Sequence, residues 1–183
     1  MTEAKLVPAE SGGLVPGDAG WFVLNAREAR WLEGTLGAYC AWEGPDAGRF
    51  PQLGINLNVL EPGMPMAMYH RESSQEDFLV LAGECVVIVE GEERPLRQWD
   101  LFHCPPGVPH TIVGAGDGPS LVLAVGARGG NEDQDLAYPV DPVAQKHKAG
   151  VAKETSLPSE AYEGMTHAWR AYEPGWLPDR PAG

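Results

Sequence analysis

The sequence has little of several features that define whole classes of protein. Cysteine occurs three times in 183 residues, as Cys40, Cys85 and Cys104, and never with CxxC spacing. This pattern argues against a disulfide framework and against a structural zinc site, so we expect reduced thiols. Unbroken apolar runs are also short, as in residues 78–82, and cannot cross a bilayer.

Basic residues are scarce as well. The chain has 13 Lys and Arg against 26 Asp and Glu, which gives a formal net charge of −13 and a pI near 4.7. Such a field repels phosphate backbones and anionic lipid headgroups, so we expect neither nucleic acid nor membrane as a partner. Residues 1–5 lack the basic start and the apolar stretch of a secretory signal, which predicts a cytoplasmic protein.

Turn-forming residues, in contrast, are abundant. The 23 Gly and 17 Pro make up about a fifth of the chain and suit many short strands joined by tight turns. Leu53, Ile55, Leu57 and Val59 alternate with smaller or polar residues, which predicts a strand with one buried face. Further β-rich runs separated by turn sequences predict a sandwich or barrel, and they cover residues 38–42, 78–81, 84–90, 94–98, 101–104, 110–113 and 120–127.

The pattern also suggests how the chain is organised. We expect an N-terminal arm with early strands in residues 1–50, a barrel in residues 51–128 and a C-terminal extension packed on it in residues 129–183. Within the first part, residues 21–24 are a candidate strand, and residues 26–32 are a candidate for two helical turns. A short helix is predicted from Pro142 to His147 in the extension.

Four side chains stand out as candidate metal ligands. His70 and Glu72 are two residues apart, so on an extended segment both point to the same face. Glu76 opens the next strand on the face of the apolar Phe78, where a buried carboxylate needs a partner. His110 follows the Pro-rich turn 105–109, which restricts the directions its imidazole can take.

These residues resemble the first motif of the cupin superfamily, G-x5-H-x-H-x3,4-E-x6-G. His70 takes the leading histidine, Glu76 takes the glutamate, and Gly83 closes the motif after six residues. Glu72 stands where the second histidine normally does, and Gly63 is one residue farther from His70 than the pattern asks.

The second cupin motif, G-x5-P-x-G-x2-H-x3-N, is matched by Pro105, Gly107 and His110. Trp99 replaces its opening glycine, and Gly114 replaces its final asparagine. The resemblance therefore runs from about residue 63 to residue 114 and is stronger for the fold than for the site.

The resemblance implies an all-β fold, a double-stranded β-helix or jelly-roll barrel, with short extensions at both ends. It also implies one divalent transition metal held by His70, Glu72, Glu76 and His110. If Glu72 does not coordinate, two His and one Glu remain as ligands, and Glu72 can act as a catalytic base. Mixed nitrogen and oxygen ligands suit Fe, Mn, Zn, Ni, Co or Cu alike.

Two functions follow as alternatives. The first is a metal-dependent enzyme, a dioxygenase or an isomerase, acting on a small organic substrate. The second is a non-catalytic protein that binds or senses a small ligand with the same barrel. Cupins often pair through their sheets, so we expect a homodimer.

Other residues in this region have two interpretations each. Met66, Met68, Tyr69 and Trp99 are candidates for lining a pocket, with core packing as the alternative. His103 and Cys104 are neighbours on one strand, so one of the two must face the interior.

Overall fold

The computed structural model describes residues 2–128 and 136–178, and within these ranges the chain is mostly β-sheet. The strands are β1 (Leu6–Pro8), β2 (Leu14–Pro16), β3 (Arg30–Gly34), β4 (Gly37–Ala41), β5 (Leu53–Leu60), β6 (Glu76–Ala82), β7 (Glu84–Val89), β8 (Glu92–Arg97), β9 (Leu101–Cys104), β10 (His110–Ala115), β11 (Ser120–Ala127) and β12 (His167–Ala171). The helical segments are a 3₁₀ turn (Asp46–Gly48), α1 (Pro142–Lys146) and α2 (Pro158–Ala161).

Antiparallel pairing joins the strands into two main sheets. The larger has seven strands in the order β12-β3-β4-β5-β11-β6-β9, and the smaller has three in the order β10-β7-β8. β1 and β2 form a separate two-stranded ribbon. Strands from before residue 51 and from after residue 128 therefore extend the same sheet as the central strands.

The main core lies between the two sheets. Leu60, Phe78 and Val122 from the larger sheet pack in one cluster with Val87 and Ile112 from the smaller sheet, and all five are at most 4% exposed. Burying a side chain of this size stabilises the fold by roughly 1.5–3 kcal/mol. This cluster holds the two sheets face to face.

A second core surrounds Trp31 on β3. Its indole is fully buried, packs 4.8 Å from the ring of Trp176, and donates a hydrogen bond of 2.8 Å to the carbonyl of Ala26. The prediction of helical turns in residues 26–32 is therefore wrong. β3 pairs with both β4 and β12, and this tertiary pairing overrides the helical propensity of the segment.

Two more local predictions have different outcomes. Residues 21–24 do not form a strand: Trp21 makes one isolated bridge to Glu3, and Val23 is 81% exposed. The predicted helix after residue 141 is confirmed as α1, where the Asp141 carboxylate accepts a hydrogen bond from the backbone N–H of Ala144. The predicted C-terminal extension includes residues 129–135 and 179–183, which lie outside the described ranges.

The tight turn between β6 and β7 depends on glycine. Gly83 has φ of +73°, and a Cβ added there would lie 2.7 Å from the carbonyl oxygen of Pro119. Only glycine meets both conditions without displacing the neighbouring chain. None of the helices in residues 2–128 and 136–178 is long and apolar enough to cross a membrane.

Candidate metal centre

The backbones of His70 and His110 are joined directly. Each N–H donates to the carbonyl of the other, at 3.1 Å from His70 and 2.8 Å from His110, so the two residues form an isolated antiparallel bridge. Side chains of a directly opposed pair leave the backbone on the same side. The imidazoles are accordingly neighbours, with ring centroids 5.2 Å apart.

Both imidazoles are fixed through Nδ1. In His70, Nδ1 lies 2.7 Å from the carbonyl oxygen of Met68, and in His110 it lies 3.0 Å from that of Val108. A carbonyl accepts only, so each contact places the proton on Nδ1 when the ring is neutral. The Nε2 atoms then carry the lone pairs, as in histidines that bind metals.

Glu76 completes the cluster from the first position of β6. Its Oε2 lies 3.2 Å from Nε2 of His110 and 3.8 Å from Nε2 of His70. With the proton of His110 on Nδ1, Glu76 Oε2 and His110 Nε2 are both buried without a hydrogen-bond partner. Orphaned polar atoms of this kind are costly unless something else satisfies them.

Apolar and soft groups enclose the cluster. The rings of Phe78 and Phe102 lie 5.3 and 5.7 Å from that of His110, which is 2% exposed. Cys104 Sγ lies 3.2 Å from Nδ1 of His110, and Tyr138 packs 6.0 Å from His70. The enclosure lowers the local dielectric and strengthens every electrostatic interaction inside.

This environment shifts the pKa values of all three residues. Burial, followed by repulsion from His110, lowers the pKa of His70. Burial alone would lower the pKa of His110, but Cys104 and Glu76 raise it to about 10. Burial raises the pKa of Glu76, but the two imidazoles outweigh it and lower the pKa overall. A metal ion entering here competes with a proton on His110.

The three ligand atoms lie within 4.8 Å of one another, and among the described residues this group does not include Glu72. Glu72 lines a smaller cavity of about 170 Å³ beside the cluster. Asn56, Glu76 and Ala124 border both this cavity and a larger one, so Glu76 stands between the two. Of the predicted ligands, the structure thus brings His70, Glu76 and His110 together and leaves Glu72 next to them.

The larger cavity, of about 600 Å³, has His70 and Glu76 among its lining residues. Its size is that of a site for a small organic molecule. The walls come from the β3–β4 hairpin and from the C-terminal segment, including Leu36, Tyr39 and Met165.

Not every predicted neighbour of the site lies there. Met66 lines the larger cavity, but Met68 and Tyr69 are buried in core clusters, and Trp99 is 67% exposed. On β9, Cys104 is the inward-facing neighbour at 2% exposure. His103 points outward and contacts Asp77 at 2.7 Å.

Sequence reasoning missed several residues of the cavity. Asn56 and Asn58 belong to the polar side of β5, which the alternation assigns to the unburied face, yet both line the cavity and Asn58 is 6% exposed. Two amides at alternate positions were the available signal. No sequence signal marked Tyr162 and His167, because they line the cavity only once the C-terminal segment has folded back against the sheet.

Fold and cluster together define a class: an antiparallel two-sheet protein with a pair of histidines and a carboxylate converging in its interior. The family model described as Cupin domain matches residues 56–126. Residues 56–126 are therefore a cupin domain. No curated protein matches this sequence.

Solved structures share the fold. A predicted oxalate decarboxylase from Thermotoga maritima is 20% identical, with a TM-score of 0.51 over 57% of this chain and 97% of that chain. A polyketide cyclase from Streptomyces resistomycificus is 13% identical, with a TM-score of 0.51 over 59% and 80%. At these identities the likeness concerns the fold alone.

A third structure comes from Acidithiobacillus ferrooxidans and is provisionally described as a sugar phosphate isomerase. It is 25% identical over 55% of the present chain, with a TM-score of 0.46. The present chain spans 64% of its length.

Proposed function

We propose that this cupin is a metal-dependent enzyme acting on a small organic substrate by oxygenation or isomerisation. His70, Glu76 and His110 would hold one divalent transition metal, and the larger cavity would receive the substrate. The observation that carries the proposal is the convergence of two fixed Nε2 atoms on a buried, unsatisfied Glu76 oxygen.

The donor set supports this assignment. Two imidazole nitrogens and one carboxylate oxygen are the composition of many iron(II) sites with open positions, and they also suit Mn, Co, Ni, Cu or Zn. Both histidines already donate Nδ1–H to backbone carbonyls, which is how outer partners orient metal-binding histidines. A cation between the three atoms would satisfy the two orphaned ones.

A bound divalent metal supplies Lewis acidity or activates oxygen. The protein's own contribution is to orient the substrate and to exclude water. Phe78 and Phe102 close the space around His110, and the cavity walls hold the substrate above His70 and Glu76. We assign Glu72 the role of moving a proton, because Glu72 and Glu76 line the same polar cavity.

Metal analysis of the purified protein tests the site. We expect close to one equivalent of a transition metal in the wild type and a large loss in His110→Ala. His103→Ala is the matched control, because it removes an exposed imidazole on β9, the strand paired with β6, that contacts Asp77 and is not one of the three converging ligands. Full occupancy in His110→Ala would refute the site.

Oxygen dependence separates the two chemistries. Turnover that requires air and iron supports oxygenation, whereas turnover under argon supports isomerisation. Tight ligand binding without turnover under either condition would support the non-catalytic alternative instead.

We also infer that the two facing sheets form the jelly-roll barrel that the cupin motifs imply, with residues 51–128 as the barrel and extensions on either side. The homodimer stays a prediction, and sedimentation at micromolar concentration tests it. A monomeric mass would refute it.

A further inference from the structure

The larger cavity is built from two different parts of the chain. Its floor, with Asn56, Met66, His70 and Glu76, lies inside the segment that matches the cupin model. Its walls lie outside that segment, in residues 32–39 of the β3–β4 hairpin and residues 158–167 of the C-terminal extension. The metal centre and the cavity walls therefore come from different segments of the chain.

The walls are mainly apolar. The hairpin contributes Leu32 and Leu36, and the C-terminal segment contributes Pro158 and Met165. Transferring apolar ligand surface from water onto such side chains is favourable. The flexible, polarizable side chain of Met165 can also make favourable contacts with an aromatic ring.

The polar groups of the cavity are mostly uncharged. Tyr39, Asn56 and Asn58 can donate and accept hydrogen bonds, which suits hydroxyl and carbonyl groups. The carboxylate of Glu76 and the imidazoles of His70 and His167 line the same space, and among the described residues no Lys or Arg lines it. The carboxylate would repel a phosphate, and a buried phosphate is best paired by a guanidinium or an ammonium group that offsets its lost hydration.

The C-terminal wall is firmly docked. β12 pairs with β3 over five residues, and Thr35 and Thr166 exchange hydrogen bonds of 3.0 and 3.2 Å at the rim. The hydroxyl of Tyr162 accepts a hydrogen bond of 3.3 Å from the N–H of Met68, next to His70. The wall is therefore part of the folded cavity.

Trp169 on β12 adds a further anchor. The guanidinium of Arg30 lies 4.1 Å from the centroid of its ring, and Tyr39 packs edge-on at 6.1 Å. Tyr39, a wall residue, is thus oriented by the C-terminal segment.

We propose that this cavity binds an uncharged, mainly apolar molecule of the size of a small aromatic compound, with an oxygen-bearing end toward Glu76, and that residues 32–39 and 158–167 select it. The inference rests on the proposed function in taking this cavity as the substrate site. It does not require the metal for binding the apolar body.

A matched pair of probes tests it: 2-naphthol and 2-naphthyl phosphate, which share a ring system and differ by the phosphate. Binding is measured by calorimetry on the full chain after removal of metal with EDTA, and again after addition of Mn²⁺. We expect 2-naphthol to bind the metal-free protein at least about tenfold more tightly than the phosphate, because the Glu76 carboxylate lines the cavity and no Lys or Arg from the described part of the chain does. Equal or tighter binding of the phosphate overturns the proposal.

Wall variants locate the binding. Met165→Glu and Leu36→Glu should each weaken 2-naphthol at least about tenfold, because each introduces a charge into an apolar wall. Leu101→Glu is the control, since Leu101 is 63% exposed on β9 and does not line the cavity. Thermal unfolding checks that each variant is folded. If Met165→Glu does not fold, the affinity of Leu36→Glu for 2-naphthol still tests the wall, because Leu36 lies in a hairpin turn.

The two failures are distinguishable. Loss of metal binding would refute the proposed function but would leave 2-naphthol binding to the metal-free protein unchanged. Wall variants that bind 2-naphthol as the wild type does would overturn this inference even when metal is present at full occupancy.

Discussion

Nε2 of His110 lies 3.2 Å from Oε2 of Glu76, and both atoms are buried without a hydrogen bond. The two residues come from different sheets, β10 in the smaller and β6 in the larger. Their meeting depends on the packing that holds the sheets face to face, and it leaves two buried polar atoms that are costly unless a proton or a cation lies between them.

Removing the charge of Glu76 and removing that of Glu72 should affect the affinity for metal differently. We expect Glu76→Gln to lower the affinity for Mn²⁺ by more than about a hundredfold, because loss of an outer partner alone costs 10–100-fold in metal sites. Glu72→Gln should change the affinity only slightly, because Glu72 is outside the group of converging ligand atoms. Calorimetric titration of the metal-free proteins measures both.

The comparison also decides the role of Glu72. If Glu72→Gln loses metal as Glu76→Gln does, Glu72 is a ligand and the prediction is wrong. If metal is retained and turnover falls, Glu72 acts on a proton. Far-UV circular dichroism confirms that both variants are folded.

A large part of the site could be predicted from sequence because the motif spacing depends on local geometry. His70, Glu76 and His110 each adjoin a turn or a strand start, where neighbouring residues fix the direction of the side chain. The cavity walls could not be predicted, since Met165 reaches the site only through the pairing of β12 with β3. That contact joins residues more than 130 positions apart, and no local pattern encodes it.

The same distinction explains the errors in the N-terminal part. Residues 26–32 have helical propensity, but the burial of Trp31 against Trp176 stabilises the strand more than propensity opposes it. The alternation in β5 assigns Asn56 and Asn58 to the unburied face, because a period of two does not distinguish a face that borders solvent from one that borders a cavity.

The pairing of Glu43 with Arg128 should make stability depend on pH. The guanidinium bonds both carboxylate oxygens, at 2.5 and 2.7 Å, and the N–H of Phe50 donates to one of them. Burial raises the pKa of Glu43, but Arg128 and Phe50 outweigh it and lower the pKa overall. The pair's contribution is therefore full above the unfolded-state pKa of about 4.3 and is lost as pH falls through the folded-state pKa.

Glu43→Gln measures this contribution. At pH 7 we expect the variant to be less stable than the wild type by about 1–2 kcal/mol in urea unfolding. The difference should shrink as pH falls below ~4. Glu61→Gln removes an exposed carboxylate and serves as control. A difference that stays constant down to pH 3 would contradict the assignment.

Gly83 should resist substitution. Gly83→Ala is expected to destabilise the protein by about 2 kcal/mol or more, because φ is positive and the new Cβ would contact the carbonyl of Pro119 at 2.7 Å. Gly118→Ala is the matched control, since a Cβ there meets nothing within 4 Å. Chemical unfolding compares the two, and similar losses in both would show that the turn between β6 and β7 tolerates a side chain.

Trp169 should hold the C-terminal wall in place without contributing to the metal centre. In Trp169→Ala the cation–π contact with Arg30 and the packing on Tyr39 disappear, worth roughly 1–3 kcal/mol together. We expect faster proteolysis within residues 158–178 and weaker 2-naphthol binding, with Mn²⁺ affinity unchanged. Trp99→Ala removes a 67% exposed indole and should alter none of the three. Mn²⁺ affinity should not change, because all three metal ligands lie outside the segment that Trp169 anchors. Loss of Mn²⁺ affinity in Trp169→Ala would therefore show that the metal centre depends on the C-terminal wall.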